Sequence, residues 1–164
     1  MIKLPKVTVY IPVYNYGRFV ERAIKSVFDQ TLKDWELLVI NDGSTDDTEA
    51  VLKKYESCEK VTIVNQKNKG LTVSCNIALR LARGEYFMRL DADDYLDENA
   101  LLVMSHFLDE HPEYGLAYPD YYLTDEHGEV EGQFAIGALE SFGDVTVYDA
   151  AHITLFIQVN ELLG

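Results

Sequence analysis

Apolar residues recur along the first 118 positions at two spacings, which predict strands alternating with helices. Short runs rich in β-branched and aromatic side chains predict strands at residues 6–13, 35–40, 61–64 and 86–90, with a short fifth at 116–118. Apolar positions three or four apart predict helices at residues 19–28, 44–55, 72–82 and 99–108. Strands that alternate with helices form mainly parallel sheets, so the pattern indicates an α/β fold.

Three local signals refine this prediction. Pro12 has no N–H group and is expected to end the ladder pairing of the first strand. Ser44 precedes Asp47 by three residues, which resembles a capping box that starts the second helix. Beyond residue 118 the alternation stops, and strand-like runs around residues 125–128 predict a β-hairpin.

Unusual polar residues follow three of the predicted strands. They are Pro12 and Tyr14 after the first strand, Asp42 after the second, and Asp91, Asp93 and Asp94 after the fourth. The carboxyl ends of parallel strands meet at one edge of the sheet, where ligands of such folds bind. The pattern therefore predicts a binding site at this edge.

The run Asp91-Ala92-Asp93-Asp94 is the strongest chemical feature of the chain. Neighbouring carboxylates repel one another unless a cation neutralises them, and hard oxygen ligands favour Mg²⁺ or Mn²⁺. Mg²⁺ typically uses one or two carboxylates together with substrate phosphates. The alternative interpretation is an acidic loop that caps the helix at Asn99.

Asp42 and Tyr14 suggest contacts with a nucleotide base. A carboxylate at a strand end can accept the N3–H of uracil, and Gly43 permits close backbone approach. The ring of Tyr14 can stack on a base. The alternatives are that Asp42 shapes a turn and helix cap, and that Tyr14 is a buried tyrosine.

Charge and missing motifs exclude several classes of protein. The chain has 164 residues with 28 Asp and Glu against 14 Lys and Arg, a net charge of −14 that disfavours nucleic acid as a partner. Neither G-x-G-x-x-G nor G-x-x-x-x-G-K-[ST] occurs, which excludes the ordinary dinucleotide and P-loop sites. Two cysteines, Cys58 and Cys75, are expected to be reduced thiols. The chain has no apolar run of the ~20 residues that a membrane span needs. We expect a cytoplasmic protein, which can also lie at the periphery of a membrane.

A series of motifs resembles glycosyltransferase family 2, the inverting enzymes of GT-A fold. The matching stretches, in family order, are residues 9–15, 26–31, 35–46, 68–70, 76, 82–86 and 90–94. The resemblance implies a Rossmann-like, three-layer α/β/α fold and a nucleotide-sugar donor that is usually UDP-linked. Many relatives carry an arginine where this sequence has Cys75.

The resemblance also implies roles for the site residues. Tyr14 and Asp42 match uracil-contacting positions, with Pro12 in the same loop, and Asp91 and Asp93 match the D-x-D pair. Asp93 is the favoured ligand of Mg²⁺ or Mn²⁺, with Asp94 beside it. The metal would bridge the diphosphate, and a saccharide, lipid or protein acceptor would attack the anomeric carbon from the opposite face.

The second part of the chain matches the family less completely. We expect residues 1–118 to form the donor-binding half and residues 119–164 an incomplete acceptor half of the same domain. The aspartates there do not match the family's general-base motif, so no catalytic base is assigned; they are Asp120, Asp125, Asp144 and Asp149. We therefore expect donor binding with very poor sugar transfer, and exposed apolar residues at Leu155, Phe156 and Ile157 that favour self-association.

Two other functions remain open at this point. A non-catalytic nucleotide-sugar binding module would keep the donor residues and lack the base. A sugar nucleotidyltransferase also uses a parallel sheet, but its basic, glycine-rich loop is poorly matched by residues 14–18.

Overall fold

The secondary structure alternates between strands and helices over most of the described chain. The computed structural model describes residues 4–119, 121–125, 127, 129–134 and 156–158. The strands are β1 (Val7–Val13), β2 (Trp35–Asn41), β3 (Val61–Asn65), β4 (Tyr86–Arg89), β5 (Leu116–Ala117), β6 (Tyr121–Thr124), β7 (Val130–Phe134) and β8 (Phe156–Gln158). The α-helices are α1 (Gly17–Phe28), α2 (Thr48–Leu52), α3 (Leu71–Leu81) and α4 (Ala100–Glu110).

The main sheet has the strand order β3-β2-β1-β4-β8-β5. Strand β1 lies at its centre and pairs in parallel with β2 and β4, while β3 pairs in parallel with β2. Strand β8 lies between β4 and β5 and is antiparallel to both. The prediction of a mainly parallel sheet is confirmed.

Two hydrophobic clusters place helices on both faces of the sheet. Val7, Val9 and Ile11 of β1 are fully buried against apolar residues of α1 and α4. Tyr10 points to the opposite face and packs with Leu38, Phe87 and residues of α3. Each fully buried Val, Leu or Ile contributes about 1.5–3 kcal/mol. Because alternate residues of one strand supply both clusters, the three-layer arrangement follows from the two-residue period of β1.

Pro12 does not end β1, as the sequence had indicated. The pairing with β2 continues through Val13, which lies opposite Asn41. The backbone O atom of Tyr10 accepts the N–H of Leu90, so the backbone N–H and C=O groups of even-numbered residues in β1 point toward β4. Strand β4 ends at Arg89, so Pro12 faces a position where the ladder needs no N–H.

Helix α2 begins at Thr48 rather than at a cap formed by Ser44. The Oγ of Ser44 accepts the N–H of Asn15 instead. Asp46 Oδ1 receives both the N–H and the hydroxyl of Thr48, at 3.0 and 2.5 Å. A contact between loops distant in sequence therefore displaces the predicted local cap.

The predicted hairpin is present as β6 and β7. In its turn, Asp125 Oδ1 accepts the N–H groups of His127 and Glu129, both at 2.9 Å. Asp120, Asp144, Asp149 and Leu155 lie outside the described residues. The side chains of Phe156 and Ile157 are not described either, so self-association remains a prediction.

The described helices include none with the length and hydropathy required to cross a bilayer. Cys58 and Cys75 are both free thiols, as expected.

Candidate functional site

An open cavity of about 360 Å³ lies at the carboxyl ends of β1, β2 and β4. Five residues predicted from the sequence line it together: Pro12, Tyr14, Asp42, Asp91 and Asp93. Asp94 is not among its lining residues. Residues up to 81 positions apart in the chain thus meet because parallel strands bring their carboxyl ends to one edge.

Asp42 is buried and its carboxylate organises the loop that follows β3. Its Oδ1 accepts hydrogen bonds from Gln66 Nε2 and the N–H of Lys69, and its Oδ2 accepts the N–H of Gly70, all at 2.8 Å. An ionised carboxylate has about four lone-pair positions, so one remains for a further donor. Asp42 both shapes the loop and presents an acceptor to the cavity.

Gly43 allows this loop to approach the end of β2. Its φ is +77°, in the left-handed region, and a Cβ placed on it would lie 2.7 Å from the N atom of Asn68. A side chain at this position would therefore collide with backbone. The glycine is required by both its conformation and its contact.

Tyr14 is exposed, with 46% of its surface accessible, which excludes the alternative of a buried tyrosine. The next residue, Asn15, has a φ of +59° and accepts the N–H of Thr45 on its Oδ1 at 2.7 Å. Its own N–H donates to Ser44 Oγ at 3.0 Å. These bonds tie the loop that carries Tyr14 to the loop that follows Asp42, so the backbone beneath the exposed ring has a defined position.

Asp91 is paired with Arg89 on the opposite side of the cavity. Arg89 Nε and Nη2 donate to the two carboxylate oxygens of Asp91, at 2.7 and 3.0 Å. Bidentate pairs of this kind are among the stronger polar contacts in proteins. The charge of Asp91 is therefore already neutralised.

Asp93 is exposed, and no described residue donates a hydrogen bond to its carboxylate. Its backbone O accepts Arg22 Nη2 at 3.0 Å, which holds the loop without using the side chain. Within the described residues, no group of three or more His, Cys, Asp or Glu could form a metal centre. A single carboxylate beside a diphosphate fits Mg²⁺ or Mn²⁺, because these ions take few protein ligands and several phosphate or water oxygens.

Two buried polar side chains, one in α1 and one just after its end, anchor the loop that carries Asp91 and Asp93. Ser26 Oγ accepts the N–H of Leu96 at 3.1 Å. Gln30 is fully buried, donates to the O atom of Asp97 at 2.6 Å and accepts the N–H of Leu101 at 3.0 Å. The loop is thus fixed at its far end to the core helix and to the start of α4.

Several residues at the site are not predicted from the sequence: Tyr16, Gln66, Leu71, Ser74 and Arg89. Arg89 had a usable signal, because side chains two apart on an extended segment point the same way and Asp91 is two residues later. Gln66 had none, because its partner Asp42 is 24 residues distant.

A second depression, of about 700 Å³, lies along α1 and behind the loop of Asp93. It is larger, but its lining carries cations and carboxylates in equal number, which are Arg18, Arg22, Lys25, Glu21, Asp29 and Glu98. It contains none of the residues at the carboxyl ends of β1 and β2. The smaller cavity is therefore the candidate site.

Comparisons with known proteins agree with this fold. The family model described as "Glycosyl transferase family 2" matches residues 8–139. The chain is 37% identical to a chondroitin synthase of Escherichia coli over 79% of its own length, and 39% identical to a hyaluronan synthase of Pasteurella multocida over 65%. It spans only 18% and 11% of those two proteins.

Solved structures show the same fold. S. aureus TarS 1–349 in complex with UDP-GlcNAc has a TM-score of 0.62 and 29% identity, covering 68% of this chain and 33% of that one. The mannosyltransferase PcManGT from Pyrobaculum calidifontis, in complex with GDP-Man and Mn²⁺, has a TM-score of 0.63 and 26% identity, covering 70% and 35%. The GT-A fold implied by the sequence motifs is confirmed, and the chain belongs to glycosyl transferase family 2.

Proposed function

We propose that the cavity binds a UDP-linked sugar as the donor site of an inverting glycosyltransferase whose acceptor is a saccharide, lipid or protein, and that this chain, for which no catalytic base is assigned, transfers the sugar very poorly. The observation that carries this proposal is the meeting of Pro12, Tyr14, Asp42, Asp91 and Asp93 on one cavity of about 360 Å³. A structural neighbour binds UDP and UDP-GlcNAc, and another binds GDP-Man, so a nucleotide-sugar donor is the common chemistry.

Asp42 and Tyr14 would select the base. The remaining lone pair of Asp42 accepts the N3–H of uracil, and its three other hydrogen bonds keep the carboxylate from turning away. The exposed ring of Tyr14 offers a stacking face, worth about 1–3 kcal/mol. Cytosine has no N3–H group, so the same acceptor disfavours CDP-linked sugars.

Asp93 would hold the divalent cation, with Asp94 beside it. The chain's net charge of −14 opposes an incoming diphosphate. A bound Mg²⁺ or Mn²⁺ would supply the positive charge that stabilises the departing UDP. Arg22 keeps Asp93 in place through its backbone O, which leaves the carboxylate oriented by the loop alone.

A second candidate function is a binding module that holds the donor without transferring the sugar. The observation that favours it is the role of Asp125, whose Oδ1 accepts two backbone N–H groups of the β6–β7 turn, so that this carboxylate stabilises the hairpin. Release of UDP from UDP-sugars, with and without candidate acceptors, separates the two functions, since a positioned base typically contributes 10²–10⁴-fold.

Calorimetric titration with UDP, GDP and CDP in the presence of Mn²⁺ tests the donor assignment. We expect UDP to bind at least about tenfold more tightly than either of the others, which corresponds to about 1.4 kcal/mol. Equal affinities would contradict the uracil contact while leaving a nucleotide site in place. No binding of any of the three would contradict the proposed function itself.

A further inference from the structure

Arg89, the last residue of β4, lines the cavity and is the cation among its described lining residues. The carboxylates of the same wall are those of Asp42, Asp91 and Asp93. Helix α3 contributes Leu71 and Ser74, which carry no charge. Among the described residues that line this cavity, a nucleoside diphosphate therefore meets one group of opposite charge.

The guanidinium of Arg89 keeps donors available after it has bound Asp91. An arginine has five N–H donors. The pair with Asp91 uses Nε–H and one N–H of Nη2, and no other described group accepts from Arg89. The remaining N–H groups match the bidentate geometry of phosphate oxygens.

The position of Arg89 is fixed by the sheet beneath it. Arg89 lies opposite Tyr10 in the parallel pair of β1 and β4. Tyr10 is buried and stacks on Phe87 with ring centroids 4.8 Å apart. The phenol of Tyr10 is uncharged at neutral pH because the ordinary pKa of tyrosine is about 10, and burial, with a hydrogen bond to Cys75, raises this pKa further.

We propose that Arg89 is a donor-binding residue whose guanidinium contacts the diphosphate, and that Asp91 is a positioning residue that orients this guanidinium. This inference rests on the proposed function and adds a residue to it. It also divides the acidic run by role, because Asp91 then acts through Arg89 while Asp93 remains for the cation.

The test measures the binding of uridine, UMP and UDP to the whole chain, with Mn²⁺ and with EDTA. The variants are Arg89→Met, Arg89→Lys and Asp91→Asn. Arg80→Met is the matched control, because Arg80 is an exposed residue of α3 that does not line the cavity, and its loss changes the net charge equally. We expect Arg89→Met to weaken UDP about ten- to a hundred-fold and uridine less than twofold.

Lysine at position 89 should restore part of the affinity, because it supplies charge without the two-pronged geometry. Asp91→Asn should weaken UDP by a similar factor with and without Mn²⁺, since it acts through Arg89. Loss confined to the Mn²⁺ condition would show instead that Asp91 is a metal ligand.

Three further results would overturn the assignment of Arg89. They are equal UDP affinity in Arg89→Met and Arg80→Met, an equal loss for uridine and UDP in Arg89→Met, and unchanged affinity in all variants. If the unaltered chain binds neither UDP nor GDP, the proposed function fails and this inference fails with it. Wild-type binding with an unaffected Arg89→Met variant refutes the inference alone.

Discussion

The two acidic sides of the cavity, at Asp42 and at Asp93, are held in the fold by different kinds of contact. Asp42 is buried and its carboxylate receives one side-chain and two backbone hydrogen bonds. Asp93 is exposed, and its loop is held through backbone atoms by Arg22, Ser26 and Gln30. The loop at Asp42 depends on the carboxylate of that residue for its conformation. The loop at Asp93 would keep its conformation without the Asp93 carboxylate.

This difference separates stability from binding. A carboxylate that completes a buried network stabilises the native state and also recognises a ligand, so its removal affects both. A carboxylate without protein partners is a source of repulsion until a cation arrives. We therefore expect substitution of Asp42 to lower the free energy of unfolding strongly. Substitution of Asp93 should weaken ligand binding and leave the free energy of unfolding nearly unchanged.

The largest effect is expected for Asp42→Ala. It leaves the donors of Gln66, Lys69 and Gly70 without their acceptor, and each unsatisfied donor costs about 1–3 kcal/mol. We expect the free energy of unfolding, measured by urea denaturation, to fall by about 3 kcal/mol. Asp29→Ala, at an exposed aspartate on the C-terminal side of α1, is the control and should change it little. A loss of under about 1 kcal/mol at Asp42 would contradict the proposed network.

Asp93→Asn should show the reverse balance. We expect UDP affinity in Mn²⁺ to fall about ten- to a hundred-fold, because a charge-assisted contact is lost. The unfolding midpoint should stay close to that of the unaltered chain. Asp94→Asn is the matched variant, and calorimetry of both shows which carboxylate holds the ion. A larger loss at Asp94 would contradict the assignment of Asp93.

Two glycines measure how tightly the Asp42 side is packed. Gly43 and Gly70 both have positive φ, +77° and +85°, but only Gly43 would place a Cβ within 4 Å of other atoms. Gly70→Ala should therefore cost only the strain of its glycine-favoured backbone conformation, with φ of +85° and ψ of 165°, which is about 1–3 kcal/mol. Gly43→Ala should cost about 1 kcal/mol more in urea denaturation. Equal losses would show that the 66–70 loop is free to move away.

The smallest effect is expected from the pH dependence of Asp46. Burial raises its pKa, but hydrogen bonds from Thr48 and Gly17 outweigh this and leave the pKa below the usual 3.8. A lowered carboxyl pKa stabilises the native state above pH 3.8, and this contribution is lost as pH falls below it. Asp46→Asn should flatten the fall in stability below about pH 4. An unchanged profile would contradict the role of Asp46 in joining α1 to the loop before α2.

The positions of Asp42, Asp91 and Asp93 could be predicted because strand periodicity places strand ends without any tertiary information. The family motifs at these strand ends then indicated that the residues bind a nucleotide-sugar and a metal ion. The cap at Ser44 was mispredicted because Asn15, 29 residues earlier, uses the same hydroxyl. A local sequence pattern does not show which residue, distant in the chain, will form a hydrogen bond with a given side chain in the folded protein.

The hydrogen-bond partners of the site residues could not be predicted from the sequence. Gln66 reaches Asp42 only because β3 lies beside β2 in the folded sheet. Gln30 joins α1 to α4 across 71 residues. Such contacts depend on how the elements pack, and a single sequence carries no signal for their distances.

Backbone NMR tests whether the cavity at the carboxyl ends of β1, β2 and β4 binds the donor nucleotide. UDP is titrated with Mg²⁺ into ¹⁵N-labelled protein, and amide shifts are followed. We expect the largest changes at the amides of Tyr14, Gly43, Gly70, Asp91 and Asp93. Changes centred instead on the second depression, at Arg18, Arg22 and Lys25, would contradict it.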